Sequence, residues 1–513
     1  MKRAATTACL LLLCIAMRAS SSPVGNSQQQ AREVLGHCIT AIGGIDRLRG
    51  IQTISYQSFA HVFVRSIDVS PSLPGMVAYL RYDVTLQPQR HAISEKIESW
   101  STESLDQSTA LVKATSEGGY LEQADKKRPL DGDTFYAVVD NLASEPISAL
   151  LAAVDSPELS LRRDADGIDE ISFHQTIYGQ PVKTTLGIGR TASLEWIETE
   201  HSYAHSLFNS SWGTVAKRHV LSGWYIDPSG VHLPKKWKTV TNGLDESQQS
   251  MVNVKLNPSS SDSVFDIPSE FKGTYAAVLN TSPDDLAKAN HGEGQTLDVA
   301  AGVVMLPGKE SAYNSLIVKQ EKGIVIVEGP YSNANSQYVI EYARKIFPSI
   351  PIEALITTNQ LWFHVAGLAA YANAHVPIYA LDSNADLVRR IIASQTKDQT
   401  GTSAPQLREV RDTIEIGKGT NRMVLVPFRG EFSARTMGVY FPELKLLYCS
   451  DIYLPQAWAG PYWTEQLAEI RDVIEREHLD VQRVSGVSMP PKDWKELSAA
   501  IPPAVASLEH KPS

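Results

Sequence analysis

Short apolar runs alternate with amphipathic helical segments from residue 297 onward, and this alternation constrains the fold of the second half of the chain. Residues 315–318 and 324–327 are apolar runs joined by a polar connection that ends in Gly323, as in a β-hairpin. The same periodicity predicts helices at residues 333–347, 365–374 and 382–393, and buried strands at 352–357 and 376–381. The pattern predicts a layered α/β domain, in which sites tend to form at the carboxyl ends of strands.

Four segments of this half carry a family resemblance. They are residues 314–318 (NSLIV), residues 323–330 (GIVIVEGP), Thr357-Thr358, and residues 441–448 (FPELKLLY) before Ser450-Asp451. In this order they resemble the metallo-β-lactamase fold over residues 297–505. The resemblance implies an αββα sandwich and, where the family's metal site is intact, a hydrolase.

The family's metal ligands are mostly replaced in this chain. In active members, the loop after the threonine-ended strand carries His-x-His-x-Asp-His, which directs imidazoles and a carboxylate at two adjacent metal ions. The matching positions here are Asn359, Leu361, Phe363 and His364, so only the last histidine is kept. An isobutyl and a phenyl group cannot bind a metal, and they make the pocket apolar.

The remaining ligand positions follow the same trend. Phe432 stands at the next histidine position and Val487 at the last one, whereas the bridging aspartate is retained as Asp451. A dinuclear site usually draws on more imidazoles than this half of the chain offers. We therefore expect no cofactor. The vestigial positions are Asn359, Leu361, Phe363, His364, Phe432, Asp451 and Val487.

Two interpretations of the retained residues stay open. In the first, His364 is a hydrogen-bonded buried side chain and Asp451 an acceptor that caps a neighbouring turn. In the second, His364, Asp451 and Glu431 are catalytic candidates that hold one zinc or other divalent ion and activate a water for hydrolysis. The sequence contains no Gly-rich phosphate loop and no Gly-x-Ser-x-Gly nucleophile motif.

The first half of the chain changes to a period of two, which is typical of strands. A helix is predicted at residues 31–48 and a helical interlude at 134–153; strands are predicted at 54–62, 76–84, 170–178, 181–188, 193–201 and 251–256. The spacing of His201 and His205 would suit a metal on a helix, but the surrounding pattern is strand-like. We expect an antiparallel sheet with helical cover.

A hairpin pattern at residues 227–234 (DPSGVHLP) adds a second, weaker resemblance. It is similar to the curved-sheet domains related to bacterial lipoprotein carriers, over about residues 51–271. That resemblance implies a half-open sheet that carries an apolar ligand; the alternative is a packed structural sheet.

The amino terminus is typical of a secretory signal. Lys2 and Arg3 precede an apolar stretch at residues 4–17 and a cleavage site of small residues at 19–21. We expect a signal peptide at residues 1–22 and an exported protein, periplasmic or extracellular, although an uncleaved anchor is the alternative. No later apolar run is long enough to predict a transmembrane helix. A net charge of −10 argues against a nucleic-acid partner.

The predicted fold class is an α+β antiparallel-sheet domain at residues 31–275, a linker at 276–296 and an αββα metallo-β-lactamase-like sandwich at 297–505. The main functional hypothesis is an exported protein without a functional metal centre that binds an unknown small molecule or protein. The alternatives are a metal-dependent hydrolase with a depleted single-metal site, and a carrier of an apolar ligand on the first sheet.

Overall fold

The computed structural model describes residues 24–63, 78–101, 107–206, 210–259, 262–281, 285, 296–307, 313–329, 332–395, 406–430, 433–451 and 464–501. Some of the predicted features lie outside these residues. They are the signal segment, most of the linker, and the candidate positions Glu431 and Phe432.

A large antiparallel sheet organises the first half of the chain. Its strands run in the order β6-β5-β4-β3-β2-β1-β15-β14-β11-β10-β9-β8-β7, and β12 and β13 form a separate hairpin. The strands are β1 (Ile54–Val62), β2 (Ala78–Gln87), β3 (Ala92–Ser101), β4 (Gln107–Thr115), β5 (Gly118–Gln123), β6 (Lys126–Pro129), β7 (Ser160–Arg163), β8 (Asp169–Ile177), β9 (Gln180–Ile188), β10 (Leu194–Ser202), β11 (Thr214–Ser222), β12 (Tyr225–Ile226), β13 (His232–Leu233), β14 (Lys236–Thr241) and β15 (Leu244–Leu256). The predicted antiparallel sheet and the hairpin are confirmed.

Helices cover one face of this sheet. They are Val24–Ile42, Ile45–Arg49, Gly132–Ser144, Pro146–Asp155 and Tyr275–Asn280. The core between helices and sheet includes Phe135 and Leu150 from the helices and Ile171, Leu186 and Ile197 from the strands, all fully buried. Helical cover of the sheet, as predicted, is therefore present.

One predicted helix is shorter than expected, and the predicted helical interlude is confirmed as two helices. The helix expected at residues 31–48 ends at Ile42, because Gly43 and Gly44 take φ values of +136° and +90°. The helical interlude at 134–153 is two helices, because Pro146 lacks the N–H that a continuous helix requires. The second helix begins with a cap, since the Glu145 carboxylate accepts from the backbone N–H of Ser148 at 2.7 Å.

The two histidines with helical spacing bind different partners. His201 lies on β10 and its Nε2 is 2.8 Å from Asp140 Oδ1. His205 follows the strand, and its Nδ1 is 2.7 Å from the carbonyl oxygen of Thr281. The two imidazoles therefore do not face a common ligand.

Asp140 anchors the helix Gly132–Ser144 to the sheet. Its carboxylate accepts from the hydroxyls of Thr199 and Tyr203, and Lys217 Nζ lies 3.5 Å away. Burial alone would raise the pKa of Asp140, but the attraction of Lys217 and the bonds from His201 and Tyr203 outweigh it and hold the pKa well below its usual range. The charged form is thus stabilised by the fold.

The Asp140→Asn variant tests this anchor. Because the folded-state pKa lies below the unfolded one, the carboxylate stabilises the protein above about pH 4, and this contribution is lost as pH falls through the lower pKa. We expect urea unfolding at pH 7 to show a loss of about 3–5 kcal/mol. The difference from wild type should shrink below pH 4, whereas Asp155→Asn, in an exposed pair with Arg49, should change little at any pH.

Two further sheets form the second half. One has the order β16-β17-β18-β19-β20-β21-β22 and the other β23-β24-β25-β26-β27-β28. Their strands are β16 (Leu297–Ala300), β17 (Val303–Pro307), β18 (Asn314–Lys319), β19 (Ile324–Val327), β20 (Ile352–Ile356), β21 (Ile378–Leu381), β22 (Leu407–Val410), β23 (Ile414–Ile416), β24 (Met423–Pro427), β25 (Met437–Phe441), β26 (Leu446–Tyr448), β27 (Arg483–Gly486) and β28 (Met489–Asp493). The first sheet is antiparallel up to β19 and parallel from β19 to β22.

Three apolar layers separate four layers of structure here. One core lies between the two sheets and contains Leu316 and Val318 of β18, whereas Ile317 between them belongs to the core under the helices. Side chains alternate across a strand, so a strand that is apolar throughout needs cover on both faces. The second sheet has its own helix layer, packed through Leu467 and Ile470. The helices of the second half, over both layers, are Asn333–Ile346, Trp362–Val365, Leu368–Asn373, Ala385–Gln395, Thr464–Arg476 and Trp494–Ser498.

The predicted elements of this half are largely confirmed, including the hairpin of β18 and β19 and the helix that follows it. The helix expected at residues 365–374 is present as Leu368–Asn373, and a separate short helix, Trp362–Val365, precedes it. Gly367 lies between them, where a Cβ atom would be 1.9 Å from Ser336 Oγ. This close approach to the neighbouring helix requires a glycine.

Cys38 and Cys449 are buried free thiols in different cores, and burial raises the pKa of the Cys38 thiol to about 12.

None of the described helices is long and apolar enough to cross a membrane by itself. The pair Gly132–Ser144 and Pro146–Asp155, bent by 71°, meets that test only when taken together.

Candidate functional site

Three strand ends converge where the resemblance places a metal site. Glu328 follows β19, Thr358 follows β20 by two residues, and Asp451 follows β26 by three. The backbone N–H of Glu328 donates to the carbonyl of Ile356 at 2.8 Å, which fixes the end of β19 against β20. The site is therefore built from both sheets of the sandwich.

The backbone at two of these ends is unusual. Glu328 has a φ of +80° and Ser450 a φ of +58°, backbone values that residues other than glycine seldom adopt. Such conformations cost free energy and persist only where surrounding contacts enforce them, often at functional sites. Both turns direct polar side chains into the interior.

His364 bridges the two carboxylates. Its Nδ1 lies 2.7 Å from Glu328 Oε2, and its Nε2 lies 3.1 Å from Asp451 Oδ2. His364 and Glu328 are completely buried, and Asp451 is 3% exposed. We call Glu328, His364 and Asp451 the buried triad.

Neighbouring polar groups complete the hydrogen bonding of the triad. The Thr358 hydroxyl donates to the second oxygen of Glu328 and lies 2.7 Å from the Ser450 hydroxyl. The Asn359 amide donates to Asp451 Oδ2 at 2.9 Å, and its own oxygen accepts from the N–H of Leu361 at 3.0 Å. A buried charge without such partners would destabilise the fold.

The carboxylates of the triad act on the protonation of His364. Burial favours the neutral imidazole, but the carboxylates of Glu328 and Asp451 outweigh it and raise the pKa of His364 to about 10. Burial raises the pKa of Asp451 above its ordinary value, against the opposing attraction of His364. The two carboxylates thus favour the form of His364 in which both ring nitrogens carry protons.

Both nitrogens of His364 are engaged by carboxylates, whereas a histidine that binds a metal presents an unprotonated nitrogen to it. Across the described residues, no group of three or more His, Cys, Asp or Glu side chains is placed to hold a metal.

The other vestigial positions have apolar or structural surroundings. Leu361, Phe363 and Val487 belong to the core between the two sheets and are at most 8% exposed. Asn359 is fully buried and supports Asp451. Each side chain thus occupies its place by packing or by an uncharged donor to Asp451.

Sequence reasoning missed Glu328. It lies in the segment GIVIVEGP, where a lone carboxylate ends an entirely apolar strand. A charge in such a context must be paired when the strand is buried. A carboxylate at the end of an apolar strand therefore indicated a buried ion pair, but the sequence does not show which residue is its partner.

No family model matches the chain, and no curated protein matches it either. Solved structures do. A metallo-β-lactamase from Pontibacter korlensis is 15% identical, with 40% of this chain and 96% of that chain covered and a TM-score of 0.32. A metallo-β-lactamase from Erythrobacter litoralis is 16% identical, with 41% and 96% covered and a TM-score of 0.32. A stereoselective inverting sec-alkylsulfatase from Pseudomonas sp. is 13% identical, with 40% of each chain covered and a TM-score of 0.30.

The solved structures that match are metallo-β-lactamase-fold proteins. What the site can do is decided by the buried triad itself.

The His364→Leu variant tests the triad as a structural element. It leaves two buried carboxylates without a cation between them, so we expect a loss of about 3–5 kcal/mol in the free energy of unfolding. Urea unfolding followed by tryptophan fluorescence measures the effect. His174→Leu, at an exposed histidine on β8, is the matched control and should stay within about 0.5 kcal/mol of wild type. Equal stability of the two variants would contradict the buried charge network.

Proposed function

We propose that the protein is exported and acts by binding a small molecule or a protein, without a functional metal centre. Its architecture in this proposal is a strand-rich domain at residues 31–275 followed by a metallo-β-lactamase-like domain at residues 297–505. The observation that carries the proposal is the engagement of both His364 nitrogens by carboxylates, at 2.7 and 3.1 Å.

Metal binding would require this network to be dismantled. The imidazolium would have to lose a proton that two buried carboxylates stabilise, and both contacts would have to break. Further donors would be needed at positions where Leu361, Phe363 and Val487 supply only hydrocarbon. These costs favour a metal-free fold.

The same geometry disfavours hydrolysis at the triad. A general base must hold a free lone pair within reach of the substrate, and a protonated, completely buried imidazole has neither the lone pair nor the access. The hydrolase alternative relied on Glu431 as a third ligand. In the described residues the third member of the cluster is Glu328, which faces His364 from the other side.

Metal analysis of purified protein tests the proposal. Protein expressed with added zinc, manganese and iron should retain far less than one metal ion per chain after dialysis against a chelator, and its thermal unfolding midpoint should not move. Inductively coupled plasma mass spectrometry gives the stoichiometry. Retention of one ion per chain that His364→Ala abolishes would overturn the proposal, as would chelator-sensitive hydrolysis of ester, lactam or phosphodiester substrates.

Export is tested by the mass of the mature chain. Lys2, Arg3 and the apolar stretch that follows them support a cleaved signal. Full-length protein produced in a secreting bacterium should appear in the exported fraction and lack about 22 residues by intact mass. A membrane-bound product with the complete amino terminus would favour the uncleaved anchor instead.

A further inference from the structure

A pocket of about 340 Å³ lies toward the β7 edge of the 13-stranded sheet, where two hairpin turns meet a helix. The turn at residues 164–168 joins β7 to β8, and the turn at residues 189–193 joins β9 to β10. Val34 and His37 of the helix Val24–Ile42 line the third side. The volume lies within the range of small-molecule sites, which is on the order of 300–1,000 Å³.

Hydrogen bonds within the protein fix both turns. Asp164 Oδ1 accepts from the backbone N–H groups of Asp166 and Ile168 at 2.9 and 2.8 Å, so this carboxylate is directed at its own turn. The N–H of Gly189 donates to the carbonyl of Ser193 at 2.8 Å. The fold therefore forms the walls of the pocket in advance, which lowers the entropic cost of binding a ligand there.

Arg190 brings an unpaired guanidinium to the lining of this pocket. Its Nη2 lies 3.5 Å from the carbonyl oxygen of Asp166, and among the described residues no carboxylate forms an ion pair with it. A Cβ atom on Gly167 would lie 2.7 Å from the same Nη2, so the glycine lets the guanidinium lie close against the turn. Arg190 is exposed, and a ligand can reach it without displacing a helix or a strand.

The two arginines of β7, unlike Arg190, are paired with carboxylates. Arg163 forms a two-point contact with Asp169 at 2.7 and 2.8 Å, and Arg162 lies 2.5 Å from Glu170. Of these four, only Arg163 and Asp169 line the pocket. With that pair neutralised, the guanidinium of Arg190 leaves the pocket complementary to one negative charge.

The rest of the lining offers a ligand a short apolar surface. Val34 and Ala192 are partly exposed there, and Ile188 of the sheet core lines the same pocket. A dianion would need a second strong cation, whereas the guanidinium of Arg163 is already held by Asp169. The charge and the lining thus favour a monoanion with a small apolar body.

We infer that this pocket binds a small monocarboxylate, whose two oxygens accept hydrogen bonds from the Arg190 guanidinium. A planar carboxylate matches the planar fork of an arginine, and the body of the ligand lies against Val34 and Ala192. The His37 imidazole is the further polar group within the lining. This inference rests on the proposed function, in that the protein works by binding, and it assigns the bound molecule's chemical class and its site.

The Nε–H signals of the full-length protein labelled with ¹⁵N-arginine test the inference. The signal missing from the spectrum of Arg190→Gln identifies Arg190. Benzoate is the probe, and benzamide has nearly the same shape without the charge. We expect benzoate to shift the Arg190 signal, benzamide to bind about tenfold more weakly, and Arg190→Gln to lose about tenfold in benzoate affinity by isothermal titration calorimetry.

Arg162→Gln is the matched control. Arg162 neighbours Arg163 on β7, so its side chain points to the opposite face of the sheet, and it is 77% exposed. The variant removes the same charge from outside the pocket and should leave benzoate affinity unchanged. Because Arg190 is exposed and unpaired, the unfolding midpoint of Arg190→Gln should match that of wild type.

Four results would overturn the inference. They are an Arg190 signal that benzoate leaves unmoved, benzamide that binds as tightly as benzoate, inorganic phosphate that binds more tightly than benzoate, and an equal loss of benzoate affinity in Arg162→Gln and Arg190→Gln. Metal retention at His364 would overturn the proposed function while leaving the response of the Arg190 signal in place, so the two failures are distinguishable.

Discussion

One buried histidine, paired with two carboxylates, links the two sheets of the second half. His364 lies on the short helix Trp362–Val365 after β20, Glu328 follows β19 in the first sheet, and Asp451 follows β26 in the other. Burying three ionisable groups costs desolvation free energy. Their mutual attraction offsets that cost only when the groups are close together and fully hydrogen-bonded. Thr358 and Asn359 supply the remaining bonds. The unusual backbone of Glu328 is maintained by the same contacts.

Two ionised carboxylates that face one place are stabilised by a positive charge between them. The His364 ring lies between Glu328 and Asp451 and can carry that charge when protonated. Leu361, Phe363 and Val487 add hydrocarbon to the core between the sheets.

Local signals predicted much of the fold, and long-range partners could not be predicted. The apolar run at residues 324–327 requires cover on both faces, and β19 has it. The break at Pro146 follows from its missing N–H and was available in the sequence. By contrast, the contact of Glu328 with His364 spans 36 residues and that of His364 with Asp451 spans 87. One sequence contains no signal that pairs residues over such distances, so Glu328 stayed unrecognised.

The triad is hydrogen-bonded inside the protein, whereas other buried polar atoms in both halves have no partner among the described residues. Every bond that the triad can make through His364 is made inside the protein, so a ligand would gain nothing there without first breaking a contact. His219 and Trp237 each hold an atom that is buried and lacks a bond among the described residues. Each buried polar atom without a hydrogen bond costs free energy, so a water or ligand that bonds to it would stabilise the protein.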